Sequence, residues 1–190
     1  MRNFSHLHYE QNWFTAVFSM MKKVVKDTKS GQPVISFKQT WGNSFLVYGD
    51  AQFGNLILEG RFLLKTAFEW DLYEGGKPVP FARMKSYVFR GILAVGCEVM
   101  SITTPDGKDF IKLESEGKAV LKHVMDSMSD WYNPTHVYAL KDSSGKKLGA
   151  ISVKHGIFKG TYDFVMEAGT EKERAAALVV FAYILLSMKK

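Results

Sequence analysis

The C-terminal segment AAALVVFAYILLSMKK, residues 175–190, restricts the possible folds of this chain more than any other feature. From Ala175 to Leu186 the segment has no charged residue, and drawn as a helix it has no polar side. A helix that is apolar on every side needs apolar partners all around it, either bilayer lipid or the interior of a protein. The environment of this segment therefore determines the architecture of the molecule.

The start and the length of this segment favour a protein interior. Thr170 and Glu173 have the spacing of a capping box, which predicts a helix over residues 171–188. The apolar part, about fourteen residues at about 1.5 Å each, spans roughly 21 Å, which is short of the ~30 Å hydrocarbon core of a bilayer. We therefore predict no transmembrane span, with a tail anchor in a locally thinned bilayer as the alternative.

The rest of the chain is dominated by hairpin patterns. An alternating strand, a polar turn with glycine and a second alternating strand recur in VVKDTKSGQPVISF, EWDLYEGGKPVPFARM, SITTPDGKDFIKLE and VYALKDSSGKKLGAISV. The turn glycines Gly31, Gly76, Gly107 and Gly145 supply the positive-φ position that tight hairpins need. Alternation with a period of two is typical of half-buried strands. We predict a mainly β fold, an antiparallel meander closed around the C-terminal helix.

Three segments do not follow the hairpin pattern. The stretch 117–130 carries one apolar helical stripe and predicts a short surface helix before Asn133-Pro134. Residues 13–26 fit a helix or a strand equally well. Residues 1–12 are expected to form a loosely ordered terminus. With 190 residues, we expect a single domain over residues 1–190.

The composition limits the cellular compartments and the binding partners that suit this chain. The single cysteine, Cys97, excludes an internal disulfide and a cysteine-based zinc site, and it suits a reducing compartment. The N-terminal residues lack the continuous apolar core of a signal peptide, so we expect a cytoplasmic protein. The net charge of +6 would attract phosphate or anionic lipid, although it equally suits ordinary solubility.

No catalytic motif identifies a reaction. His6 and His8 could chelate a metal as an i, i+2 pair, but no third ligand lies nearby in the sequence, so neither a metal nor a cofactor is predicted. The Gly-Lys pairs lack the earlier glycine and the strand-to-helix setting of a phosphate-binding loop. The sequence favours a non-enzymatic domain, and an enzyme with an unrecognised site stays open.

Two clusters of lysines are the candidate binding residues, one around the first hairpin and one around the last. The candidates for headgroup contact are Lys22, Lys23, Lys26, Lys146, Lys147 and Lys154. If closure of the barrel brings the two clusters together, they would form a surface for anionic headgroups, worth about 1 kcal/mol per residue near a charged membrane. The alternative is that these lysines bind no ligand and only keep the outer faces of the strands in contact with water. Binding to nucleic acid is disfavoured.

The hairpins and the apolar ending together resemble the tubby C-terminal-like superfamily, which includes phospholipid scramblases and LURP-one-related proteins. The resemblance rests on EWDLYEGGKPVPFARMK, on YALKDSSGKKLGAISVK and on the ending TYDFVMEAGTEKERAAALVVFAYILL, and it covers roughly residues 30–190. It implies a closed barrel of about twelve strands with the helix threaded through it. It also implies phosphoinositide or lipid contact in some members, and hence a location at the periphery of a membrane.

Functional residues of the superfamily do not transfer to this chain one by one. The basic pocket of tubby proteins has no residue-by-residue match here. Where scramblases have an acidic calcium-binding segment, this chain has Asp163, Glu167, Glu171 and Glu173 mixed with basic residues, and we predict no calcium site. The expected function is a binding or scaffold domain that contacts anionic phospholipid headgroups. The alternatives are a protein-interaction module without a ligand and the unrecognised enzyme.

Overall fold

The computed structural model describes residues 4–12, 22–63, 68–87, 98–116, 135–154 and 159–187. Within these ranges the chain forms twelve strands and one helix. The elements are β1 (His6–Asn12), β2 (Lys22–Asp27), β3 (Pro33–Gln39), β4 (Phe45–Tyr48), β5 (Leu56–Phe62), β6 (Glu69–Glu74), β7 (Ala82–Ser86), β8 (Glu98–Thr103), β9 (Asp109–Glu116), β10 (Thr135–Asp142), β11 (Lys147–Lys154), β12 (Lys159–Met166) and α1 (Glu171–Ser187).

The twelve strands form one closed antiparallel barrel. Each strand pairs with its neighbours in the sequence, and β1 closes the barrel by pairing with both β2 and β12. The predicted turn glycines, Gly31, Gly76, Gly107 and Gly145, all have positive φ. The predicted mainly β fold, a closed antiparallel barrel around a C-terminal helix, is thus confirmed. Closure leaves the sheet without a free edge.

Residues 6–12 form a strand of the barrel, whereas a loosely ordered terminus was expected over residues 1–12, of which the structure describes residues 4–12. In β1, Leu7 and Tyr9 are buried inside the barrel while Glu10 is exposed outside. Seven cross-strand pairs join β1 to β12, from His6↔Val165 to Asn12↔Lys159. A short alternating stretch becomes a strand here because two neighbouring strands supply hydrogen-bond partners on both of its sides.

The other two ambiguous segments are only partly described. Of residues 13–26, the part that the structure describes, from Lys22 onward, is the strand β2. The surface helix predicted over residues 117–130 lies outside the described residues.

Because consecutive strands run in opposite directions, successive connections lie at alternate ends of the barrel. We call the end where α1 begins the upper end; it carries the β2–β3, β4–β5, β6–β7, β8–β9 and β10–β11 turns. We call the opposite end, where α1 finishes and where the β3–β4 turn lies, the lower end. Helix α1 runs between them, since Ala175 lies near Leu56 at the upper end while Tyr183 packs on Trp70 at the lower end.

Helix α1 fills the barrel. Every residue from Ala175 to Leu186 is buried except Tyr183, which is partly buried. The Phe181 ring lies between the rings of Phe37 and Phe164, with centroid distances of 5.8 and 5.3 Å. The apolar surface on every side of the helix is therefore matched by the inner wall of the barrel. No helix among the described residues is long and apolar enough to cross a bilayer.

The predicted capping box is present at the start of α1. The Thr170 N–H donates to Glu173 Oε2 at 2.6 Å, and the Glu173 N–H donates to Thr170 Oγ1 at 3.3 Å. Glu171 and Glu173 also place negative charge in the first turn, where it stabilises the helix by interacting with the positive end of the helix dipole. The box fixes where the chain leaves the wall of the barrel and enters its interior.

We expect Thr170→Ala to lower the free energy of unfolding by about 1 kcal/mol, because a first-turn amide loses its acceptor. Chemical denaturation of the two proteins measures the difference. Thr28→Ala is the matched control, since Thr28 is exposed in the β2–β3 turn and its substitution should cost about 0.5 kcal/mol or less. Equal losses in the two variants would contradict a role for the cap.

Candidate anion-binding surface

Ion pairs neutralise the basic residues over most of the outer wall. Asp71 and Glu69 of β6 lie directly opposite Arg83 and Lys85 of β7. Arg83 Nε donates a hydrogen bond to Asp71 Oδ1, and this bond is the main cause of the raised pKa of Arg83. The pairs on β5 to β11 are Arg61–Glu59, Arg83–Asp71, Lys85–Glu69, Lys112–Glu98, Lys112–Asp109, Lys141–Glu114 and Lys147–Glu116. This part of the wall therefore has little net charge to offer a partner.

The outer face of β2 and β3 differs from the rest of the wall. Lys22, Val24 and Lys26 point outward from β2, and Lys38 of β3 lies directly opposite Lys22. Among the residues that the structure describes, none of these three ammonium groups has a carboxylate oxygen within 4.0 Å. Like charges directly opposite each other repel. We call Lys22, Lys26 and Lys38 the lysine face.

The β4–β5 loop brings an aromatic ring to the lysine face. The Asp50 carboxylate accepts hydrogen bonds from the N–H groups of Gly54, Asn55 and Gln52, which lower the pKa of Asp50 and hold the loop in a compact shape. The Ser36 hydroxyl donates to the Asp50 carbonyl at 2.7 Å and ties the loop to β3.

The ring that this loop presents is Phe53. Its centroid lies 5.3 Å from Lys22 Nζ, within the range of a cation–π contact. The lysine face thus lies next to apolar surface, because Val24, which is 38% exposed, points outward between Lys22 and Lys26.

A second aromatic side chain lies at the lower end of β3. Trp41, three residues after Lys38, is 95% exposed in the β3–β4 turn. The turn itself is anchored, because Trp70 Nε1 donates to the Asn43 carbonyl at 3.0 Å. An anchored turn that presents tryptophan to solvent is suited to a membrane interface, where amphipathic indole rings collect.

The six candidate lysines take four different positions. Lys22 and Lys26 lie on the lysine face, whereas Lys23 lies on the inner face of β2 and is only 5% exposed. Lys146 and Lys147 lie at the upper end of the barrel, where Lys147 pairs with Glu116 at 2.8 Å. Lys154 is exposed at the opposite end of β11.

Closure of the barrel does not join the two lysine clusters. Strands β1 and β12 separate β2 from β11, which puts the clusters about 14 Å apart at ~4.8 Å per strand. Between them lie two outward carboxylates, Glu10 of β1 and Asp163 of β12. Asp163 Oδ1 is 2.6 Å from Nδ1 of His8. The lysines of β2 and those around β11 therefore do not share a surface.

Lys38 is not among the lysines that the sequence predicted for headgroup contact. It is sixteen residues away from Lys22 in the chain, and only the register of the β2–β3 hairpin makes the two direct neighbours. The alternation in PVISFKQ was a usable signal, because it predicts that Lys38 shares a side with Ser36 and opposes the side of Phe37.

The upper end of the barrel offers neither an anion site nor a metal site among the described residues. At the upper end, a cavity of about 470 Å³ is lined by Leu56, Ile57, Glu74, Gly75, Lys77, Glu171, Lys172 and Ala175. Its two carboxylates balance its two ammonium groups, so it does not select an anion. Within the described ranges no group of three or more His, Cys, Asp or Glu residues could hold a metal ion.

The comparisons with known proteins add no relative to this description. Protein-family models, curated proteins and solved structures were compared with the chain, and none of them matches. The architecture itself defines the class: a twelve-strand antiparallel barrel filled by its C-terminal helix. Its outer wall carries one lysine face that the described acidic residues leave unneutralised.

Proposed function

We propose that this protein is a non-enzymatic binding domain that contacts anionic phospholipid headgroups through the lysine face. The observation that carries the proposal is the contrast between the two parts of the outer wall. On β5 to β11, ion pairs hold most lysines and arginines, whereas Lys22, Lys26 and Lys38 have no carboxylate partner among the described residues. An anionic surface would relieve the repulsion between Lys22 and Lys38.

The expected contact is peripheral and reversible. A lysine near an anionic leaflet contributes about 1 kcal/mol, so the lysine face contributes about 3 kcal/mol, which is too little for permanent attachment. Trp41 and Phe53 would add apolar contact at the depth of the headgroups. This interpretation places the protein in the cytoplasm, at the inner surface of a membrane.

The resemblance noted in the sequence supports the same proposal. A closed twelve-strand barrel around a C-terminal helix is the architecture that the tubby C-terminal-like superfamily implies. We propose on this basis that the chain is a member of that superfamily. Lipid contact, known for some of its members, would then be shared by this chain through residues of its own.

Vesicle co-sedimentation tests the proposal. We expect binding at low salt to phosphatidylcholine vesicles that contain phosphatidylserine or a phosphoinositide, and weak binding to phosphatidylcholine alone. Replacing Lys22 and Lys38 by glutamine should weaken the binding about 30-fold, because two contributions of about 1 kcal/mol are lost. Added salt should weaken the binding of the unmodified protein as well.

The matched control removes two of the lysines around β11. The double variant Lys146→Gln, Lys154→Gln has the same net charge as the first variant, and both of its positions are exposed. Equal losses in the two variants would show nonspecific attraction and contradict the lysine face. No sedimentation with any anionic vesicle at low salt would remove the proposal and favour a protein-interaction module.

A further inference from the structure

Glu74 lies on the inner side of its strand, at the upper end of the barrel. Along β6, Trp70, Leu72 and Glu74 share one side, and Trp70 and Leu72 are both buried. The cross-strand partner of Glu74 is Leu58, which is fully buried. Among the residues that the structure describes, no basic nitrogen lies within 4.0 Å of the half-buried Glu74 carboxylate. A carboxylate in this position needs water or another donor to satisfy it.

The cavity of about 470 Å³ at the upper end is the space next to Glu74. Its volume falls within the range of small-molecule pockets. The start of β5 and the β6–β7 turn line one side, and the first turn of α1 lines the other. Leu56 and Ala175 contribute apolar surface to these two sides, and Ala175 is buried. The cavity therefore offers a ligand both a carboxylate and an apolar wall.

Both sides of the cavity are held in place by the fold. The Gly75 N–H donates to the Ile57 carbonyl at 2.8 Å, which fixes the β6–β7 turn against β5. A Cβ atom at Gly75 would overlap the backbone carbonyl of Leu56, so only glycine permits this close approach. On the other side, the capping box fixes the first turn of α1. A pre-formed cavity of this kind reduces the cost of ordering a site when a ligand binds.

The charges around the cavity are balanced but separated. Glu74 and Glu171 supply two carboxylates, and Lys77 and Lys172 supply two ammonium groups. Within the described part of the chain, neither ammonium group has a carboxylate oxygen within 4.0 Å. The carboxylates repel an anion and the ammonium groups repel a cation. An uncharged apolar ligand would displace water from charged groups without replacing its hydrogen bonds. A ligand with one charge of each sign avoids all three costs.

We propose that this cavity binds a small zwitterion with an aliphatic side chain, that is, an apolar α-amino acid. The ammonium group of the ligand pairs with Glu74, its carboxylate pairs with Lys77 or Lys172, and its side chain lies on Leu56 and Ala175. The site shares no residue with the lysine face. The inference therefore goes beyond the proposed membrane contact and does not depend on it.

Nuclear magnetic resonance of the unmodified protein tests the proposal, with leucine as the probe. Leucine should cause saturable shifts of the backbone amide signals of Gly75 and Ala175. Two analogues each lack one charge: 4-methylpentanoate has no ammonium group, and 3-methylbutylamine has no carboxylate. Each should bind at least about tenfold more weakly than leucine, because one charge-assisted hydrogen bond is lost.

A variant of Glu74 then assigns the ammonium contact. Glu74→Gln should weaken leucine binding about tenfold and should bring the affinities for leucine and 4-methylpentanoate close together, because the partner of the ammonium group is gone. Asp106→Asn is the matched control. It removes a carboxylate from the exposed β8–β9 turn at the same end of the barrel, and it should leave leucine binding unchanged.

Three results would overturn the inference. The first is the absence of saturable shifts with leucine up to its solubility limit. The second is an analogue that binds the unmodified protein as tightly as leucine, which would show that one charge or apolar contact alone suffices. The third is an equal loss of leucine binding in Glu74→Gln and Asp106→Asn. The first two need no variant, and none of the three bears on vesicle binding.

Discussion

Replacing Phe181 by alanine is expected to lower the free energy of unfolding by about 3–5 kcal/mol, a large fraction of the stability of a typical domain. Phe181 is fully buried and contacts Phe37 of β3 and Phe164 of β12, two strands of the barrel wall that are separated by β1 and β2. The cost falls at the high end for core substitutions because a closed ring of hydrogen-bonded strands cannot collapse onto the vacated volume. Chemical denaturation measures this loss.

The control for this variant is Trp41→Ala, which also removes a large aromatic side chain. Trp41 is 95% exposed, so its removal should change the stability by about 0.5 kcal/mol or less. A loss below about 1 kcal/mol for Phe181→Ala would contradict a helix enclosed by the barrel, since a surface helix relaxes around such a change.

Gly149→Ala is expected to destabilise the barrel by about 3 kcal/mol, at the upper part of the usual range for overpacking. A Cβ atom at Gly149 would lie 2.2 Å from the Val165 carbonyl oxygen and 3.0 Å from Met166 Cα, both in the backbone of β12. Strand β12 pairs with β11 on one side and with β1 on the other, so it cannot move away without breaking hydrogen bonds. Thermal or chemical denaturation measures the effect.

Gly160→Ala provides the matched control in the adjacent strand. A Cβ atom at Gly160 would meet nothing closer than the Lys154 carbonyl oxygen at 3.6 Å, an ordinary van der Waals contact. This variant should be close to neutral, since alanine also restricts the unfolded chain. Similar losses in the two variants would show that flexibility of glycine, and not the close approach of two strands, matters at Gly149.

The elements whose signals are local were predictable from the sequence. The capping box depends on residues 170–173 alone, and each hairpin turn depends on a few residues around its glycine, so both were recognised from short patterns. Strand β1 was missed because its stability comes from partners more than 150 residues away, as the His8–Asp163 contact shows. Long-range pairing of this kind leaves only a weak trace in a seven-residue stretch.

The candidate site was only partly predictable for the same reason. In the run KKVVKD, a shift of one residue exchanges which lysine faces water and which faces the core. The register against Phe37 and the packing on Tyr9 place Lys23 inside and Lys22 outside. Likewise, only strand pairing makes Lys38 a neighbour of Lys22, and only pairing gives Lys85 the carboxylate of Glu69.

The sequence by itself determined that hairpins precede a C-terminal helix that is apolar on every side, and it favoured enclosure of that helix by the hairpins over a tail anchor. These conclusions follow from local hydrogen-bonding chemistry and from the cost of exposing apolar surface to water. The tertiary structure alone decided that β1 closes the barrel, which lysines lie on each face, and which of them find a carboxylate. Those outcomes depend on the register of strands that are distant in sequence, because the side of a strand that a residue occupies is set by its pairing partner.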